Sequence, residues 1–154
     1  MIAQKEKEEI MYNAGRAKAL ELQEASSTMD GTELNAATDV IPDFLAAKAQ
    51  KNMLERKAGL KDGFVCKSSA GRVVRLLQPY DSETYQDEPE MLPAQWGFVW
   101  SNDPAHARPF IALATSPYMT GNVCEDAGKI YLSTHDNNTF APTAYPDWWE
   151  EVTV

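Results

Sequence analysis

The side chains here with the most chemical potential are aromatic and acidic. Tyr80, Tyr85, Trp96 and Trp100 surround an acidic loop, Asp87-Glu88-Pro89-Glu90. Two carboxylates about 5–10 Å apart across a cleft could hydrolyse a glycosidic bond, but nothing in the spacing of these acids marks such a pair. Asp136-Asn137-Asn138 offers oxygen ligands of the kind calcium takes, without the rest of a ligand series. His135 beside Asp136 has no Ser or Cys in a nucleophile motif, so a triad is unsupported. Cys66 and Cys124, with only His106 and His135 beside them, lack zinc-site spacing. The expectation is a non-enzymatic chain with no catalytic residue, metal site or cofactor.

What remains is ring chemistry near the C-terminus. Tyr145, Trp148 and Trp149 cluster there, with the amides of Asn137 and Asn138 nearby as polar contributors. Adjacent residues of a strand point to opposite faces, so at most one tryptophan is core and the other is available to solvent. An exposed tryptophan flanked by Asp147 and Glu150 would be the most site-like feature of the chain. The competing reading is that both rings cover a small core or a subunit contact.

The elements that must position these rings form a repeat. One segment runs Leu60-x-x-Gly63-x-Val65-Cys66, a short turn, then Ala70-Gly71-Arg72-Val73-Val74. The other runs Tyr118-x-x-Gly121-x-Val123-Cys124, a shorter turn, then Ala127-Gly128-Lys129-Ile130-Tyr131. Each copy closes on apolar-Pro-x-x-Trp, at Leu92-Pro93 with Trp96 and at Tyr145-Pro146 with Trp149. The pattern describes a hairpin followed by a return strand. The glycines permit bends and positive φ, and Val65, Val73, Val123 and Ile130 are expected inside. Such small units are marginal alone and are expected to support each other. The two cysteines hold equivalent places and are read as buried free thiols rather than a disulfide.

Before the repeat the texture is helical. Residues 4–26 are rich in Ala, Glu, Lys and Leu without proline, with Met11, Ala14, Leu22 and Ala25 on one face, interrupted by Lys18 and weakened by Gly15. Such a helix wants a partner, either its own fold, copies of itself or another protein. Asp30 and Glu33 form a capping-box pattern for a short second helix carrying Leu34, Ala37 and Ile41, ended by Pro42. A third helix is expected over 44–57, stopped by Ala58-Gly59. The expected fold is therefore α+β, an N-terminal helical segment followed by two small antiparallel three-stranded β modules. The corresponding units are 1–58 for anchoring and oligomerisation, 59–104 for the first module and 105–154 for the second.

Bulk properties narrow the partners. The 154 residues carry a net charge of −9, spread unevenly: 1–78 hold 12 basic and 11 acidic groups, 79–154 hold 2 basic and 12 acidic. The acidic half repels phosphate backbones, so nucleic acid is not an expected partner. No apolar run reaches the roughly 18–20 residues that span a bilayer, and the charged start Met1-Ile-Ala-Gln-Lys-Glu-Lys-Glu-Glu is unlike a secretion signal.

The second copy resembles the chitin-binding type 3 module, carbohydrate-binding module families 5 and 12. The residues that carry the likeness are Tyr118-x-x-Gly121-x-Val123, Gly128-Lys-Ile-Tyr131-x-Ser133, Asn137-Asn138-Thr-Phe-x-Pro142 and Pro146-x-Trp148-Trp149-Glu. The first copy is similar but carries Leu60 in place of Tyr118, lacks the aromatic pair and has a longer loop over 81–91. Phe44 and Phe110 stand where a tryptophan often opens the module. The layout over about 30–152, helices then tandem modules, resembles structural proteins of tailed bacteriophages and prophages of the tail-fibre or head-fibre type. The resemblance implies a glycan lying on Tyr145, Trp148 and Trp149, with Asn137 and Asn138 bonding its hydroxyls. It implies a virion protein, made in the host cytoplasm and attached by its helical N-terminus to other tail, baseplate or capsid proteins. A homo-oligomer is expected, trimers being a common solution for such parts, with host surface polysaccharide as the ligand. The alternatives are a purely architectural capsid-decoration, head-fibre or baseplate component, and the accessory module of a polysaccharide-degrading enzyme.

Overall fold

A computed structural model describes residues 21–48, 63–78 and 84–154. Among the described residues three short helices precede the first strand: α1 at 21–25, α2 (Gly31–Ala36) and α3 (Phe44–Lys48). Asp30 caps α2 as its spacing suggested. Its carboxylate accepts from the Glu33 N–H at 2.8 Å, and Glu33 reaches back to the Asp30 N–H at 3.4 Å. The expected helices over 4–26 and 44–57 are seen at 21–25 and 44–48; their remaining parts, with Met11, Ala14, Gly15, Lys18 and the Ala58-Gly59 stop, lie outside the described residues.

Seven strands follow in two sheets. β1 (Val65–Lys67), β2 (Val73–Leu76) and β3 (Trp96–Phe98) form an antiparallel sheet in that order. β4 (Arg108–Pro109), β5 (Val123–Asp126), β6 (Lys129–Ser133) and β7 (Trp149–Val152) form the second. The arrangement is α+β, but the second sheet corrects the expectation of three antiparallel strands. It has four, and β4 joins it parallel to β5.

The two sheets repeat each other in register. Cys66 faces Val74 as Cys124 faces Tyr131, and Leu76 faces Trp96 as Ser133 faces Trp149. A proline-opened turn leads into each return strand: the Gln95 N–H donates to the Leu92 carbonyl at 3.1 Å across Pro93, as the Trp148 N–H donates to the Tyr145 carbonyl at 3.3 Å across Pro146. The repeat also reaches further upstream than the Gly-Val-Cys strings. Asp43 pairs parallel with Lys67 as Pro109 pairs parallel with Glu125. The next residues, Phe44 and Phe110, meet Trp96 and Trp149 edge-on at 5.7 and 6.1 Å. The opening segment of the first copy is thus supplied by residues at the start of α3.

The turns follow their sequences. In the second copy Ala127 and Gly128 both have positive φ, 51° and 77°, giving a two-residue turn whose twist matches the strands. The first copy has a three-residue loop: the Gly71 N–H bonds the Ser68 carbonyl, and Gly71, at φ 84°, forms the bulge.

Burial divides along the pleat. On the first sheet Val65 and Val73 pack with Leu22, Leu34 and Ile41 of the helical segment. Cys66, Val74, Leu76, Trp96 and Phe98 pack on the opposite face. Burial on both faces explains the unbroken Val73-Val74 run. The main core is common to both sheets. Rings stack in series from Phe98 to Trp100, Tyr118 and Phe110, at 5.8, 4.4 and 5.4 Å, and Tyr118 and Phe110 both meet Trp149 edge-on. In the second sheet Val123 is buried as expected. Ile130 is only half-buried, because its register pairs it with Val152 away from the Cys124–Tyr131–Trp149 face.

Candidate functional site

The long connection from β6 to β7 carries the site. Its shape is set by Asn138, fully buried despite its polarity. The Asn138 backbone exchanges both hydrogen bonds with Tyr118, at 2.8 and 2.9 Å. Its side-chain amide donates to Ser133 Oγ at 3.1 Å and to the Trp148 carbonyl at 3.4 Å, and its side-chain oxygen accepts from the Phe140 N–H at 3.1 Å. One buried amide thereby ties the end of β6, the loop and the return turn together, as a satisfied buried polar group must. Asn137 precedes it with φ 55° and an exposed side chain; the left-handed conformation suits asparagine.

The aromatic doublet straddles the junction of the 3-10 turn, which Trp148 ends, and β7, which Trp149 opens. Trp149 turns inward at 7% exposure, and its indole N–H donates to the Phe140 carbonyl at 2.8 Å. Trp148 is half-buried at the surface, where His135 stacks on its ring at 4.5 Å and 8°. Phe140 and Tyr145 meet Trp148 nearly perpendicular at 5.2 and 5.5 Å, and each other at 5.1 Å. Phe140 is 47% exposed and Tyr145 40%. The four rings form one aromatic cluster at the surface, the platform of the candidate site, with Trp148 at its centre and also packed against the main core. The Trp148 indole N–H makes no hydrogen bond among the described residues and is available as a donor.

Of the five residues singled out in sequence, Tyr145 and Trp148 belong to this platform and Asn137 lies on the same loop. Trp149 and Asn138 stand behind it in the interior, holding it in place. Their polar atoms are engaged within the chain, so neither presents a free surface to a ligand. Sequence reasoning missed Phe140 and His135. Phe140 sits inside the Asn-Asn-Thr-Phe-x-Pro string, and only the chain reversal at Tyr145 reveals it as a surface ring.

The surroundings are acidic. Asp136 at the rim has its carboxyl held below its ordinary range, chiefly by the backbone N–H of Thr120, which donates to it at 2.9 Å. Asp147 and Glu150 are exposed on either side of the doublet. The platform therefore suits a neutral, polyhydroxylated ligand, whose C–H faces lie on rings while hydroxyls donate to carboxylates. Phosphate-rich ligands would be repelled. In the first copy Gln95 holds the place of Trp148.

Of the remaining sequence candidates, Tyr80 lies outside the described residues. Cys66 and Cys124 are buried free thiols in the common core. Burial, then the Asp126 charge, pushes the Cys124 thiol up to about 12; burial and nearby carboxylates likewise raise Cys66. Glu90 of the acidic loop pairs with Arg72 at 3.0 Å. Among the described residues no group of three His, Cys, Asp or Glu side chains is placed to hold a metal, and no helix is long and apolar enough to cross a membrane. Comparison with protein-family models, with curated proteins and with solved structures found no match.

Proposed function

We infer that this chain is a non-enzymatic structural protein of a tailed-phage particle that engages host-surface glycan through the His135–Phe140–Tyr145–Trp148 platform. The observation that carries the binding role is the platform itself: four clustered rings at the protein surface, with Phe140 and Tyr145 about half-exposed. Its local motif is also the part of the chain that resembles carbohydrate-binding modules. The N-terminal segment joins the chain to neighbouring virion proteins, and copies arranged around a symmetric particle multiply individually weak contacts through effective concentration.

One observation favours a second reading. Trp148 already contacts three rings of its own chain, so the cluster is largely self-satisfied. On that reading it is a purely architectural subunit contact that binds no sugar. A glycan array or cell-wall pull-down separates the two, comparing wild type with Tyr145→Ala and Phe140→Ala, which spare the core. Retention that drops at least tenfold in both variants is the expected result. No retention, or retention untouched by either change, favours the architectural role.

A further inference from the structure

The chain holds a second surface feature, remote in sequence from the platform and of opposite character. An open cleft of about 620 Å³ lies between the start of α3 and the β1–β2 turn, lined among others by Thr38, Leu45, Lys67, Ser69 and Arg108. Its volume falls in the range of small-ligand sites. Arg108 is the distinctive residue. Among the described residues no carboxylate pairs with its guanidinium, although the chain carries 23 acids against 14 bases.

Arg108 is nevertheless held firmly. The fully buried Asn35 donates its amide to the Gly31 and Val99 carbonyls at 2.8 and 3.0 Å, which fixes its side-chain oxygen. That oxygen accepts from Arg108 Nε at 3.1 Å, and the Asn35 backbone carbonyl accepts from Nη2 at 3.1 Å. One edge of the planar guanidinium is thus anchored, and among the described residues Nη1 makes no hydrogen bond. Partial burial costs the charge some hydration and lowers its proton affinity. Lys67 stands on the same cleft, bonded to the Thr38 carbonyl at 3.1 Å and only loosely paired, at 3.8 Å, with an Asp43 carboxylate that is itself largely exposed. Two cations and the Asp43 carboxylate thus line the cleft, with Thr38, Ser69 and Leu45; beside it the Glu88 carboxylate is engaged by the Ser69 N–H at 2.7 Å.

We propose that this cleft binds a small oxyanion, a carboxylate or phosphoryl group on a sugar-sized molecule, with Arg108 as the oriented anchor and Lys67 as the second cation. A guanidinium anchored on one edge and unpaired on the other is preorganised to accept an oxyanion with little further ordering. The site is independent of the glycan platform.

The test is NMR titration of the full chain with sodium glucuronate and, separately, inorganic phosphate, against sodium chloride at matched ionic strength. The signals followed are the Arg108 Nε–H and the Thr38, Ser69 and Gly71 amides. Saturable shifts in the millimolar range, weakened at least fivefold in Arg108→Gln, support the site. Response to glucuronate alone assigns a carboxylate ligand, response to phosphate alone a phosphoryl group, and response to both the shared oxyanion. Shifts that fail to saturate, that chloride reproduces, or that survive Arg108→Gln overturn it. If Arg108→Gln does not fold, Lys67→Met decides instead: at least threefold weakening supports the site, and unchanged binding overturns it.

Discussion

Arg72 is the side chain whose removal should expose most clearly how the two sheets are joined. It leaves the first hairpin with its side chain about 10% exposed, donating from Nε to the Pro109 carbonyl at 2.9 Å and from Nη2 to the Phe110 carbonyl at 3.3 Å. Nη1 meets the Glu90 carboxylate, itself 15% exposed, at 3.0 Å. Arg72→Met keeps much of the stem and deletes the donors, leaving a nearly buried carboxylate and two carbonyls unpaired. Removing one member of a buried pair costs about 3–5 kcal/mol. Adding three charge-assisted bonds at about 1.5–3 kcal/mol each would overshoot, because interactions within one network do not add. Against a total stability of about 5–15 kcal/mol the loss is large. At this chain length it corresponds to a melting shift of about 6–20 °C. Urea unfolding with an unchanged slope is the direct assay. The double variant Arg72→Met/Glu90→Leu, which no longer strands a carboxylate, should recover at least about 1 kcal/mol relative to Arg72→Met. A single variant within about 1 kcal/mol of wild type, or a double variant no better than the single, refutes the clamp.

Further outcomes follow from the turns, the packing and the titrating groups. Ala127→Asn, placing Asn-Gly where both φ values are positive, should raise stability by about 0.5–1 kcal/mol in thermal unfolding, because alanine is strained there. Gly31→Ala should cost about 1–3 kcal/mol, since an added methyl would run into the Trp100 carbonyl oxygen, whose backbone has no room to yield. Cys66 and Cys124, their thiols raised by burial, should resist disulfide-exchange reagents at pH 8 in the native state and react rapidly on unfolding. Asp136 is depressed in the folded state, so its contribution is present above its ordinary 3.8 and is lost as pH falls through the lower folded value; the Thr120 amide shift should titrate in that acid range and not at neutral pH.

Legibility in the sequence tracked how local each feature was. The Gly-x-Val-Cys and Ala-Gly strings, the Asp30 capping box and the proline-opened return turns depend on neighbours a few residues apart, and the sheets carry them in register. The parallel opening strand was illegible, since β4 is two residues long and its pairing is set by distant partners. The helical cover on the first sheet left only one trace, the unbroken Val73-Val74 run. At the site, period-two alternation does not apply to the doublet, since Trp148 ends the 3-10 turn, Trp149 opens β7, and both rings touch the main core. It could not show that Asn138 is drawn inside by the Tyr118 strand, because a polar residue gives no burial signal. Nor could it show His135 and Phe140 closing on Trp148, since that meeting depends on a loop reversal.

The ring platform is proposed as a glycan site. It is tested most directly by following the Trp148 indole N–H by NMR while titrating with oligosaccharides, N-acetylglucosamine oligomers among them. The expected result is a saturable shift of that signal, with accompanying shifts at His135, Phe140 and Tyr145, abolished in Tyr145→Ala while the Trp149 signal shows the core intact. A Trp148 signal unmoved by every sugar offered, or moved equally in Tyr145→Ala, would contradict it.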